Sequence, residues 1–442
     1  MKDLSEFYTM KVGVVDLAAS TVNVVPVEER VVRERIGGAA MNLCLFDQHE
    51  EGDPIVLGVG PLTGSFVPAS SLAMATFRSP LTERMSFVPL MLRSGPEMKF
   101  AGFDFIILKG RATKQVFLRI RGGKIDLHHA EYGEGLEIPE MTAFIRKKWG
   151  VGQASVIAGP AADRGEHHAI VSCGMWGSLD KTGLARTMAS KNVKGVVFEG
   201  ASGLRFGQSN LERSQRMIVE LGLHGHLKAN CFISVLDRMG SGNDVKKIAG
   251  KFHGKQMACY RCPFPCMSYM EFYGDDRRRR RMGKETTGVA ICDHRGFAAL
   301  GEKHKTKALP LMAACLRFGI DPVYVASNLP DSETLEELIS GVETLALQPE
   351  ESIQEDVNDV PVGIAPSLYH LFGGGLPPIS ADDSWGRRVG FSMIVGICPL
   401  FFLFYSNISV RTMLSFLSED DGYVDALEET VARAVQSVLD RQ

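Results

Sequence analysis

The chain has 442 residues, 45% hydrophobic and 23% charged, with a formal net charge of −3. That length predicts two or three domains, and the composition is that of an ordinary globular protein rather than a disordered or fibrous one. The near-neutral balance excludes any general electrostatic pull toward nucleic acid or acidic membrane.

In chain order, MKDLSEFYTM carries acids and lacks the apolar core of a signal peptide. KVGVVDL (11–17) and TVNVVPV (21–27) then alternate across a short turn and predict a hairpin. DFIILKG, SVIAGP, AIVSC and VKGVVFEG predict further short strands, each ended by Gly or Pro. QVFLRI and KIDLHH flank Arg121-Gly122-Gly123, a second hairpin signal. A helix is expected around Pro139 to Lys148. After about residue 207 the spacing turns helical, in LERSQRMIVELGLHGHL, KALPLMAACLRFG and SETLEELISGVETLA. Ser332 reads as the N-cap of the last of these, with Leu335, Leu338, Ile339, Val342 and Leu345 on one face. The stretch 348–388 is loop-rich, dense in Pro, Gly and acids. The final helix places Val424, Leu427, Val431, Val435 and Val438 on its apolar side. The fold class read from this pattern is α+β. A β-rich N-terminal domain (1–206) precedes a helical domain (207–442) that contains the 348–388 loop.

Phe391 to Ile408 is strongly apolar, yet it holds Pro399, Gly396, Ser392, Ser406 and Asn407 and is short for a span of about 20 residues. It reads as a buried core segment, so no membrane span is expected.

Nine cysteines in a chain without a secretion signal argue for reduced thiols and a cytoplasmic setting. Three of them, Cys259, Cys262 and Cys266, fall in ACYRCPFPC. Zinc sites show two CxxC pairs, or one pair followed by histidines. Here the third cysteine is displaced by one position and Pro263 follows Cys262, which better suits three corners of a [4Fe–4S] cubane. A fourth ligand must then come from elsewhere. Among Cys44, Cys173, Cys231, Cys292, Cys315 and Cys398, the last stands out because it follows Gly396 within an apolar run. Its residues alone allow either an inert core cysteine or a cluster ligand.

With these motifs in hand, the chain resembles the aldehyde:ferredoxin oxidoreductase family. The likeness is carried by KVGVVDLAASTVNVVPV, RERIGGAA, GPLTGSFVPASS, FRSPLT, GPEMKFAGFDFIILKG, IAGPAAD, MASKNVKGVVFEG, the CxxCPxxC run and VGIC. The resemblance implies the fold of that family. It also implies a [4Fe–4S] cluster on Cys259, Cys262, Cys266 and Cys398, beside a tungsten or molybdenum bis-pterin in active members. Where the family's pterin contacts are polar or glycine-rich, this chain departs. Leu72 stands for an arginine, Pro89-Leu90-Met91-Leu92 for an Asn-Ser-Gly-Gly turn, and 177–183 for an Arg- and Gly-rich loop. LRFGID (316–321) and MIVGIC (393–398) lack the aspartates of the family's paired Asp-x-x-Gly-Leu motifs. Unpaired pterin groups would cost about 1–3 kcal/mol each.

The resemblance and its departures together lead to an expectation. The chain holds one [4Fe–4S] cluster and serves as a non-catalytic electron-transfer or scaffold subunit, with tungstopterin or molybdopterin in doubt. The alternative is an active tungsten or molybdenum aldehyde oxidoreductase passing electrons to ferredoxin, and a third reading is a structural zinc protein. The expected partners are a ferredoxin-like or other redox protein and a catalytic homologue within an oxidoreductase complex. Arg277 to Arg281 form a candidate docking patch for such a carrier or an ordinary solvated loop. No recognised fold accompanies that run to suggest a nucleic-acid role.

Overall fold

The computed structural model describes residues 7–130, 135–150, 154–178, 180–201, 208–223, 231–238, 240–251, 255–271, 288–348, 384–404 and 408–441. The arginine run and almost all of the 348–388 loop lie outside the described residues. Ser384 to Arg388, at the end of that loop, already belong to a helix.

The α+β class predicted above is observed, with strands dominating the first two hundred residues and helices the rest. The strands of the first sheet are β1 (Lys11–Asp16), β2 (Thr21–Pro26), β3 (Ile55–Val59), β4 (Ala73–Arg78), β5 (Met85–Leu90) and β6 (Phe105–Lys109). They lie in the order β2-β1-β6-β3-β4-β5. The predicted hairpin forms with Val14 opposite Asn23, and β1 runs parallel to β6. Continuous apolar runs suit strands covered on both faces, and β3 is buried throughout, whereas the edge strand β2 is mostly exposed. Asn42, on the Gly38–Gln48 helix, stitches that helix to the sheet by donating to the carbonyls of Val56 (3.2 Å) and Met74 (2.9 Å).

The second sheet contains β7 (Val116–Arg121), β8 (Lys124–His129), β9 (Ala154–Ala158), β10 (Val171–Cys173), β11 (Trp176–Gly177) and β12 (Val193–Glu199). Its order is β11-β10-β9-β12-β7-β8. Gly122 and Gly123, both at positive φ, make the β7–β8 turn that the Gly-Gly pair predicts. A third, antiparallel sheet of β13 (Lys255–Met257), β14 (Met267–Glu271) and β15 (Gly288–Ile291) frames the cysteine loop.

The C-terminal helix, Asp421–Leu439, buries the predicted valine and leucine face against the Ser384–Val395 and Gly38–Gln48 helices. One hydrophobic core therefore runs from the first sheet into the last helix. Thr334, not Ser332, caps the Leu335–Leu347 helix: its hydroxyl accepts from the Glu337 amide, while the Ser332 hydroxyl accepts from the Thr334 amide. Both residues are good caps by chemistry, and the backbone turn decides which one serves.

Candidate metal centre

The apolar segment 391–408 is not one helix. A helix ends at Val395, another begins at Pro399, and Cys398 sits in the break. Gly396 makes the break possible. Its φ is +91°, and a Cβ there would fall 2.0 Å from the Thr63 hydroxyl oxygen. Gly60 likewise lets the backbone of Val395 and Gly396 approach, since a Cβ on it would meet the Val395 carbonyl carbon at 2.1 Å. Among the described residues no helix is long and apolar enough to cross a membrane.

The other three cysteines occupy the loop from β13 to β14. A turn joins Cys259 to Cys262, with the Cys262 amide donating to the Cys259 carbonyl at 3.0 Å. Arg261 adopts a left-handed conformation in that turn, and its guanidinium lies 4.3 Å from the Phe66 ring centre. Cys266 enters β14 directly.

One residue links the two cysteine segments. The Ala69 amide donates to the Arg261 carbonyl (3.0 Å), and the Ala69 carbonyl accepts from the Cys398 amide (3.0 Å). The 60–72 loop around it is held in turn by Lys99, whose buried ammonium donates to the carbonyls of Gly60, Pro61 and Thr63 at 3.0–3.2 Å. Leu92 supplies a second clamp. Its amide donates to the Cys259 sulfur (3.3 Å) and its carbonyl accepts from the Tyr260 amide (2.9 Å). His294, on the far side of β15, hydrogen-bonds through Nε2 to the Cys266 carbonyl at 2.7 Å.

Cys259, Cys262 and Cys398 all lie within electrostatic reach of Cys266, and none of the four is in a disulfide. Burial pushes the Cys259 thiol up to about 12, and the neighbouring Cys398 adds to the rise. Burial likewise raises Cys266, assisted by Cys259, Cys262, Cys398 and Cys292. Thiolates crowded this way repel one another and need a cationic group to hold them. Four sulfurs in apolar surroundings, one already accepting a backbone N–H, make a donor set that suits an iron–sulfur cluster. Among the described residues no group of three or more His, Cys, Asp or Glu is gathered closely enough to hold a single metal ion, the four cysteines included.

The remaining cysteines have other roles. Cys292 donates to the Gly177 carbonyl, Cys315 is fully buried in the core, and Cys44 accepts from the Gln48 amide nitrogen at 3.7 Å. The side chain of Cys231 lies outside the described residues.

The positions that depart from the resemblance are filled. Leu72, Met393 and Leu316 are buried. In the 177–183 loop, Asp180 accepts from the amides of Thr182 and Leu184 and from the Thr182 hydroxyl. Lys181 lies between two carboxylates, Asp293 (3.0 Å) and Asp321, all three nearly inaccessible to solvent. This triad has no sequence signal, because Lys181 is 112 and 140 residues from its two partners. The Leu92 clamp and the Ala69 link act through backbone atoms and are equally silent in the sequence.

A profile described as the aldehyde ferredoxin oxidoreductase N-terminal domain matches residues 12–200. Over these residues the chain is similar to the N-terminal domain of the aldehyde ferredoxin oxidoreductase family. The tungsten-containing aldehyde ferredoxin oxidoreductase of Pyrococcus furiosus is 28% identical over 196 residues, which are 42% of this chain and 32% of that protein. The enzyme of the same description from Pyrococcus horikoshii is 22% identical over 303 residues, 61% of this chain and 50% of that one. The WOR-like subunit of an aliphatic sulfonate oxidoreductase from Pyrococcus furiosus is 26% identical over 221 residues, 45% of this chain and 35% of its own. The matches thus span a third to a half of the relatives' length. Among solved structures, the active-site complex BamBC of benzoyl coenzyme A reductase with 1,5-dienoyl-CoA shares the fold. Its TM-score is 0.64 at 17% identity, over 78% of this chain and 61% of that one.

Proposed function

We propose that this chain is an iron–sulfur subunit, holding one [4Fe–4S] cluster on Cys259, Cys262, Cys266 and Cys398 without a pterin of its own. The Ala69 link carries the proposal: a single residue, through its amide and its carbonyl, joins the CxxCxxxC loop to the Cys398 break and holds the two ligand segments in register. When bound, such a cluster accepts and returns one electron at a time. The chain's own residues would supply thiolates, exclude water through Phe264, Ile397 and Leu400, and tune the group through the Leu92 amide on the Cys259 sulfur.

The residues present do not suit a pterin. Its polar groups would face Leu72, Leu316 and Met393, and the Lys181 and Asp180 side chains are already engaged within the protein. A non-catalytic role follows, with a separate catalytic homologue and a ferredoxin-like carrier as partners. The WOR-like subunit among the relatives and the two-subunit complex among the solved structures are consistent with life in an oxidoreductase complex. The active tungsten enzyme is the second reading, favoured by the names of the curated relatives.

Metal analysis after anaerobic purification separates the two. About four irons and four sulfides per chain with no tungsten or molybdenum are expected. Fewer than about three irons and no absorbance near ~400 nm after reconstitution would remove the cluster. Stoichiometric tungsten or molybdenum with released pterin would make the chain an enzyme.

A further inference from the structure

Two segments far from the CxxCxxxC loop in the chain meet at the Cys259 sulfur. From one side comes the turn after β5, in which Leu92 takes a left-handed φ of +64° and donates its amide to that sulfur at 3.3 Å. A left-handed leucine carries strain and persists only where its surroundings fix it. Here a second sulfur helps to do so: Cys173 accepts from the preceding Met91 amide and from the Ser94 hydroxyl. The consecutive amides of Met91 and Leu92 thus serve one cysteine each.

From the other side comes the 60–72 loop. Ser71 is 1% exposed, and its hydroxyl donates to the Cys259 sulfur. Its amide donates to the Ala69 carbonyl at 2.9 Å, the same carbonyl that accepts from the Cys398 amide. Gly95 lets the two segments close on each other, because a Cβ on it would fall 2.6 Å from the Leu72 carbonyl carbon.

The Cys398 sulfur also accepts two bonds, from the amides of Leu400 and Phe401. Of these four donors, three are backbone amides and one is a side chain. The chemistry of that side chain is telling. A hydroxyl finds only a weak acceptor in a neutral thiol, and a strong, charge-assisted one in a thiolate. Its neighbour Ser70 takes the ordinary course and donates to the Ser65 carbonyl at 3.0 Å.

We propose that Ser71 sets the reduction potential of the cluster, as a positioning residue whose hydroxyl acts through the Cys259 sulfur. This rests on the cluster reading given above. On reduction one electron enters from a low-potential one-electron donor, no bond forms or breaks, and no proton moves. The added negative charge is shared with the sulfurs, so a fixed donor favours the reduced state and raises the potential.

An anaerobic redox titration of the full-length holoprotein, read through the electron paramagnetic resonance of the reduced cluster, tests this. Ser71→Ala should keep about four irons per chain and move the one-electron equilibrium toward the oxidised state by roughly tenfold, ~59 mV. S71T, which keeps the hydroxyl, should titrate close to the wild type. S70A, an equal truncation one residue away, should leave the potential unmoved. A wild-type potential in S71A at full iron content would overturn the proposal. So would a shift of equal size in S70A, which would make the effect a general loosening of the loop. Iron lost from S71A and kept in S71T would overturn it too, by making the hydroxyl a contact that retains the ligand. A wild-type protein that takes up no iron removes the cluster reading itself, whereas a wild-type cluster with an unmoved S71A potential removes this inference alone.

Discussion

At the scale of single residues, the two atoms beside the Gly396 Cα decide most. Only a glycine can occupy a φ of +91° with the Thr63 hydroxyl at the place of its Cβ. Gly396→Ala should therefore cost at least about 1–2 kcal/mol in urea unfolding, from left-handed strain alone, and lower iron content together with it. Cys398→Ala should convert the cluster to an oxygen-labile three-iron form or lose it. Cys292→Ala and Cys315→Ala should retain full iron, because these side chains are a carbonyl donor and a core residue. Electron paramagnetic resonance of the reduced protein decides, and a wild-type signal in Cys398→Ala would show that another residue is the fourth ligand.

Between elements, buried charges do the joining. Asp293 accepts from the Gly296 amide and Asp321 from the Val323 amide, so each caps a helix, and Lys181 ties both caps to the loop after β11. Lys181→Met would leave two carboxylates facing one another in a dry site. A loss of about 3–5 kcal/mol is expected in denaturant unfolding, and an unchanged midpoint would contradict it. Lys99 gives a pH signature. Burial draws its pKa down to about 7 although Asp104 opposes the shift. Below pH 7 the lysine is protonated in both states and the full desolvation cost is present. Between about 7 and 10 the unfolded chain binds the extra proton, so stability rises with pH. From pH 7 to 9 the rise should approach about 2–3 kcal/mol, and Lys99→Met should flatten it. Above about 9 the thiols of Cys292 and Cys315, raised by burial, act in the opposite direction, which limits the useful window.

For the whole molecule, the continuity of the core means that the sheets and the terminal helix stand or fall together. The Asp421–Leu439 helix covers the Gly38–Gln48 helix, which is stitched to β3 and β4 through Asn42. A chain ending at Ser418 should lose its cooperative thermal transition and expose apolar surface to a hydrophobic dye. Retention of a sharp transition would mean that the first sheet is self-sufficient.

The strand alternation, the Gly122-Gly123 turn and the face of the last helix were legible in the sequence because periodicity and turn chemistry are local properties. The three-cysteine loop was legible for the same reason, as a spacing within eight residues. Residue chemistry singled out Cys398 but left its role open, and only the resemblance named it a ligand. What no local rule reaches is the company these residues keep. The link through Ala69, the Leu92 amide on the Cys259 sulfur, and the pairing of Lys181 with carboxylates 112 and 140 residues away depend on how sheets and helices close on one core. Even the cap at Thr334 rather than Ser332 follows a backbone angle that composition does not encode. Local preferences choose the elements, and packing free energy, shared across the whole chain, chooses which of them meet.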